Sequence, residues 1–180
     1  MKTTLKAIRE HGPCESGWVK LLGALGKTKA DDEPLSLLEI LKSNGLDDAL
    51  WCLRAVDGHD KEIRLYAVWC ARQVQHLMTD KRSLDALDVA EAFANGKVTK
   101  EELAAAADAA WDAARGAAAL TAARVAAWDA AAAAAWAAWD AGDAARAAGE
   151  VARAAGAARS AQEKELIRIC ELLEKEKSHV

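Results

Sequence analysis

Residues 103–163 read LAAAADAAWDAARGAAALTAARVAAWDAAAAAAWAAWDAGDAARAAGEVARAAGAARSAQE. This is 34 alanines in 61 positions, broken chiefly by Trp111, Trp128, Trp136 and Trp139 and by sparse Asp and Arg. Alanine has the best intrinsic helix propensity and loses no side-chain entropy, so the stretch is expected to be helical. Its burial removes little apolar area per residue. The compensation is close backbone approach, toward the lower end of the usual interaxial range of about 8 to 10 Å. Each tryptophan supplies the area that alanine lacks, roughly 150 to 250 Å² for an aromatic side chain.

Within this stretch the angular pattern changes. Thr99 opens it with a capping-box spacing to Glu102. At about 100° per residue, Asp108, Asp112 and Arg115 fall on one side and Leu103, Ala107 and Trp111 on the other, with Gly116 a candidate end. From Thr121, Arg124, Val125, Trp128, Trp136 and Trp139 share a broad face. A straight continuation past Gly142 would fill that face with Asp143, Arg146, Glu150 and Arg153. A tryptophan face cannot become a charged face against the same partner, so a break is expected near Gly142, with Asp143 as the new N-cap. Ala-Trp-Asp-Ala occurs at 110–113, 127–130 and 138–141, but spacings of 17 and 11 share no period and do not make a solenoid.

Outward from there the chain also reads as helix, with no strand expected. Trp18, Leu21, Leu22 and Leu25 form a one-faced helix ending near Gly26. Asp31 or Asp32 is expected to cap the next one, with Pro34 in its first turn and Asn44-Gly45 at its end. Leu46 to Val56 is a short helix closed by Asp57-Gly58. Ile63, Tyr66, Ala67, Cys70, Val74 and Leu77 make one stripe, with Leu65, Trp69 and Arg72 as a second beside it, so this helix should touch more than one neighbour. Ser83 to Asn95 is amphipathic and stops at Asn95-Gly96. The last helix carries Leu166, Ile169, Cys170 and Leu173, and its tail from Glu174 to Val180 should fray. The expected fold is all-α: a single multi-helix domain over 1–180, with short helices in 1–96 and long alanine-rich helices forming antiparallel hairpins in 97–180.

The net charge of −4 is mild and unclustered, which excludes a basic field for phosphate backbones. The alanine-rich region carries seven acids against five bases, too few for acidic mimicry of DNA. Met1 to Glu10 has no apolar run of signal-peptide length, so a cytoplasmic protein is expected. Asp129, Asp140, Asp143 and Arg146 bracket the apolar run from Ala130 to Trp139 too closely for a membrane span. Cys14, Cys52, Cys70 and Cys170 are far apart and read as reduced, mostly buried thiols. His11, His59, His76 and His179 are scattered, and no metalloprotease, phosphate-loop, dinucleotide or nucleophile-elbow motif occurs. No enzyme activity, metal or cofactor is expected. His11-Gly12-Pro13-Cys14 breaks the first helix, and Cys14 is placed to cap or enter the second.

The ordered layout resembles a known family. Gly-x-Cys-x-x-Gly at 12–17 precedes Trp18, and Leu50-Trp51-Cys52-Leu53 follows. Then come the Arg64 to Val74 helix, the Ala90 to Thr99 linker into Glu101-Glu102-Leu103, and an alanine and tryptophan tract ending in Gln162 before a Leu-rich tail. Over nearly the full chain this is similar to the immunity protein family of bacterial genomes. The resemblance implies a small cytoplasmic helical protein that neutralises a toxin or interferes with an opposing system. It carries over no functional residue.

The tryptophans have two readings: core wedges locking a helical hairpin, or exposed anchors beside Arg124, since Trp and Arg are enriched at binding hot spots. The expected function is a non-enzymatic binding protein of immunity or anti-defence type that occludes a protein partner through Arg124, Trp128, Trp136 and Trp139. One alternative is a structural or self-assembling protein whose alanine faces pair between subunits. Another is sequestration of a small nucleotide-like ligand between helices, on which Arg72, Arg115 and Arg124 would converge. No nucleic-acid or membrane partner is expected.

Overall fold

The structure, a computed structural model, describes residues 1–73, 75–78, 80–117 and 158–177, with side chains omitted at Leu77, 113–117, 158–159 and 176–177. Among these residues the chain is mostly helical, with eight α-helices, two short 3-10 turns and one small sheet. They fall into two compact units, Met1–His59 with Glu163–Val180, and Asp60–Gln162.

In the first unit β1 (Lys2–Thr4) leads into α1 (Leu5–Glu10) and α2 (Glu15–Ala24). After β2 (Pro34–Ser36) come α3 (Leu37–Asn44), α4 (Leu46–Cys52) and the 3-10 turn Leu53–Ala55. The last helix of the described chain, α8 (Ala158–Lys177), contributes its residues from Glu163 onward. β1 and β2 pair antiparallel, with Thr3 opposite Leu35 and Thr4 opposite Pro34. Thr3 and Leu35 are both buried, and the Thr3 hydroxyl donates to the Ala55 carbonyl.

This pairing corrects the all-helical reading of residues 31–36. Pro34 is not in a helical first turn but at the end of a two-stranded pair, where its missing N–H is tolerated. Ser36 caps α3 instead: its hydroxyl accepts from Leu38 N–H at 3.3 Å, while the Glu39 carboxylate accepts from Ser36 N–H at 3.1 Å. Asp31 is occupied elsewhere, accepting from Lys27 Nζ at 2.6 Å and from Glu33 N–H at 3.2 Å. α3 ends as expected at Gly45, whose φ of 95° is a region that L side chains rarely adopt. The core includes Leu5, Ile8, Leu37, Ile40, Leu50, Leu53, Leu166 and Cys170, all at 2 % exposure or below. Ile169 and Leu173, expected inward, are half-buried, and α8 continues to Lys177 rather than fraying at Glu174.

In the second unit α5 (Asp60–Arg72) is followed by the 3-10 turn Gln75–Leu77, then α6 (Lys81–Ala94) and α7 (Lys100–Ala117). The Asp80 carboxylate caps α6, and Gly96, at φ 69°, closes it while Lys97 N–H bonds to the Ala92 carbonyl at 2.9 Å. Thr99 and Glu102 form the expected reciprocal cap: Thr99 N–H donates to Glu102 at 2.7 Å and Glu102 N–H to the Thr99 hydroxyl at 3.2 Å. α6 packs on both α5 and α7.

α5 buries two faces, but not the expected two. Ile63, Tyr66, Ala67 and Cys70 are buried as anticipated, and Val68 and Ala71 supply the second surface. Leu65, Trp69 and Arg72 are only half-buried. The physical reason is size: Ala67 and Val68 join Ala90, Leu103 and Ala107 in one cluster, where small side chains permit close approach. Trp69 stacks on Tyr66 instead, with ring centroids 6.4 Å apart. α5 ends at Arg72, and Val74 of the expected stripe lies outside the described residues.

Candidate functional site

Arg124, Trp128, Trp136 and Trp139 lie outside the described residues, as does the expected break at Gly142. Arg115 belongs to α7 by its backbone, and Gly116 lies inside that helix. What the structure does place is the first of the three Ala-Trp-Asp-Ala segments and the arginine of α5.

Residues 110–113 begin with Ala110 fully buried, next to Trp111 half-buried and Asp112 exposed. Ala107 and Leu103, about one and two turns earlier on α7, are also fully buried. Trp111 packs against the cluster of Ala67, Val68, Ala90, Leu103 and Ala107, beside Val89 and Phe93. Ala110 is thus fully buried, while the tryptophan beside it packs against the cluster and is only half-buried. This arrangement follows from a helix rotating about 100° between Ala110 and Trp111. It combines the wedge role with partial exposure.

Arg72 stands in the last turn of α5, where a cation is favourable for the helix dipole. Its Nη2 donates to Asp88 at 2.8 Å and to Glu91 at 2.6 Å, both on α6, and its Nη1 donates to Gln75 at 3.1 Å. Partial burial opposes its charge, but the hydrogen bonds to Asp88 and Glu91 outweigh this and hold the guanidinium above its ordinary value. A nucleotide-like anion would compete with two carboxylates already in place.

All four cysteines are free; Cys52, Cys70 and Cys170 are buried as expected, whereas Cys14 is exposed rather than packed. Burial pushes the Cys52 thiol up to about 12, with the Asp48 carboxylate adding to the effect. Burial also raises Cys170. Neither is a nucleophile at neutral pH. Cys14 caps α2, its sulfur accepting from Gly17 N–H at 3.4 Å. Asn44 Nδ2 donates to the Gly17 carbonyl at 2.9 Å and to Asp48 at 2.7 Å, so a polar knot surrounds this helix start. A β-carbon on Gly17 would lie 2.9 Å from Asp48 Oδ2 and 3.1 Å from Cys14 Sγ. A side chain there would make the Asp48 carboxylate and the Cys14 thiol shift, a crowding that no local spacing reveals.

Three arginine contacts with aromatic rings were not anticipated. Arg9 lies 5.4 Å from the Trp18 ring, Arg54 4.5 Å from Trp51 and Arg64 5.2 Å from Phe93. Only the Trp51–Arg54 spacing of three residues offered a local signal. Among the described residues, Val19 and Leu172 are the large apolar side chains left open, at 58 % and 45 % exposure. Among the described residues no cluster of three His, Cys, Asp or Glu could hold a metal ion, and no helix is long and apolar enough to cross a membrane. Comparison with protein-family models, with curated proteins and with solved structures found no match.

Proposed function

We propose that this chain is a non-enzymatic binding protein of immunity or anti-defence type, acting by occlusion of a protein partner. Arg124, Trp128, Trp136 and Trp139 form its contact surface. The observation that carries the reading is Trp111, which packs on an alanine-built core and is itself only half-buried. The same four-residue pattern recurs at 127–130 and 138–141, where Arg124 adds the second residue type enriched at hot spots. In this reading the alanine-rich helices fold back as antiparallel hairpins and the protein works in the cytoplasm, as the family resemblance implies. The ion pairs of Arg72 with Asp88 and Glu91 weigh against a shared nucleotide-like site with Arg115 and Arg124.

The test is affinity capture from host lysate with wild type beside a Trp136→Ala/Trp139→Ala variant, with helicity followed by circular dichroism. The expected result is one protein retained at stoichiometric level by wild type and lost by a variant of unchanged helicity. Equal retention by both overturns the assignment of the surface. A mass that rises with concentration in light scattering, with no foreign protein captured, replaces the reading with self-assembly.

A further inference from the structure

We draw no further inference here: the strongest candidate, the exposed Cys14 thiol at the first turn of α2 beside the Asn44–Asp48 pair, is a lone cysteine at a helix N-terminus, and nothing in the structure points to a ligand there.

Discussion

The two units are stabilised by opposite means. In the first, helices of six to ten residues, capped by the side chains of Thr4, Cys14 and Ser36, join a three-residue strand pair around Leu37, Ile40, Leu50 and Leu53. In the second, longer helices meet through Ala67, Val68, Ala90, Leu103 and Ala107, with Trp111 and Phe93 at the margin. Helices of six to eight residues are too short to be stable alone, so their caps and large apolar side chains must do the work. An alanine-rich helix has favourable propensity already and needs mainly a closely fitting neighbour. The first unit is therefore sensitive to lost volume and the second to added volume.

The largest expected effect breaks the first unit. Ile40→Ala removes a fully buried side chain from α3 and should cost about 2 to 5 kcal/mol, as such truncations do in packed cores. Urea unfolding with hydrogen exchange read separately in α3 and α6 would locate the loss; protection lost first in α6 would contradict the assignment. In the second unit the reverse substitution is the damaging one. Ala107→Leu adds volume at a position with 0 % exposure and should cost about 1 to 3 kcal/mol by overpacking. An unchanged urea midpoint would show that α6 and α7 are not closely fitted.

Capping gives a smaller effect with a pH signature. Asp80 accepts from Arg82 N–H at 2.9 Å and from the Arg82 guanidinium at 2.8 and 3.0 Å. The Arg82 side chain, then its backbone N–H, holds the Asp80 carboxyl down to about 2, from an ordinary 3.8. A carboxyl depressed on folding stabilises fully above its ordinary value and loses that contribution as pH falls through about 2. Asp80→Ala should therefore cost about 1 kcal/mol at pH 7, the usual value of an N-cap, with the gap from wild type closing toward pH 2. Asp80→Asn keeps an acceptor for the Arg82 N–H but not the charge facing the Arg82 guanidinium, so it should recover only part of the loss at pH 7. A gap that stays constant down to pH 2 would mean that the charge plays no part.

Local features were legible in the sequence, and features made by distant partners were not. The Thr99–Glu102 cap and the Gly45 and Gly96 stops involve residues within a few positions of each other, so spacing alone identifies them. The β1–β2 pair joins Thr3 to Leu35, and three residues are too few to show alternation. Periodicity placed Ile63, Tyr66, Ala67 and Cys70 inward on α5, but it could not say that Val68, rather than Trp69, faces the alanine cluster. The candidate surface has the same character. Angles group Trp128, Trp136 and Trp139 on one face, while what covers a face depends on its neighbour. For Trp111 that neighbour is α6 with α5, and the ring is neither fully buried nor fully open.

Arg72 sharpens the contrast at the smallest scale, because its partners lie 16 and 19 residues along the chain and add a charged tie between α5 and α6 to the close fit of Ala67 and Val68 against Ala90. The guanidinium is about a third exposed and Glu91 about half, so solvent screens the pair. A double-mutant cycle of Arg72→Met and Glu91→Gln should give a coupling of about 0.2 to 1 kcal/mol, shrinking as salt is raised. Asp88 remains bonded to Arg72 when Glu91 is neutralised, so Glu91→Gln alone should cost less than Arg72→Met, which abandons both carboxylates and Gln75. The order matters for function as well as stability. If Arg72→Met left stability unchanged while abolishing binding of a nucleoside phosphate, the arginine would be a ligand group and the occlusion reading would give way to sequestration. A loss of stability of the expected size, with no phosphate binding in wild type, keeps Arg72 as a tie between two helices and leaves the partner surface to the tryptophans.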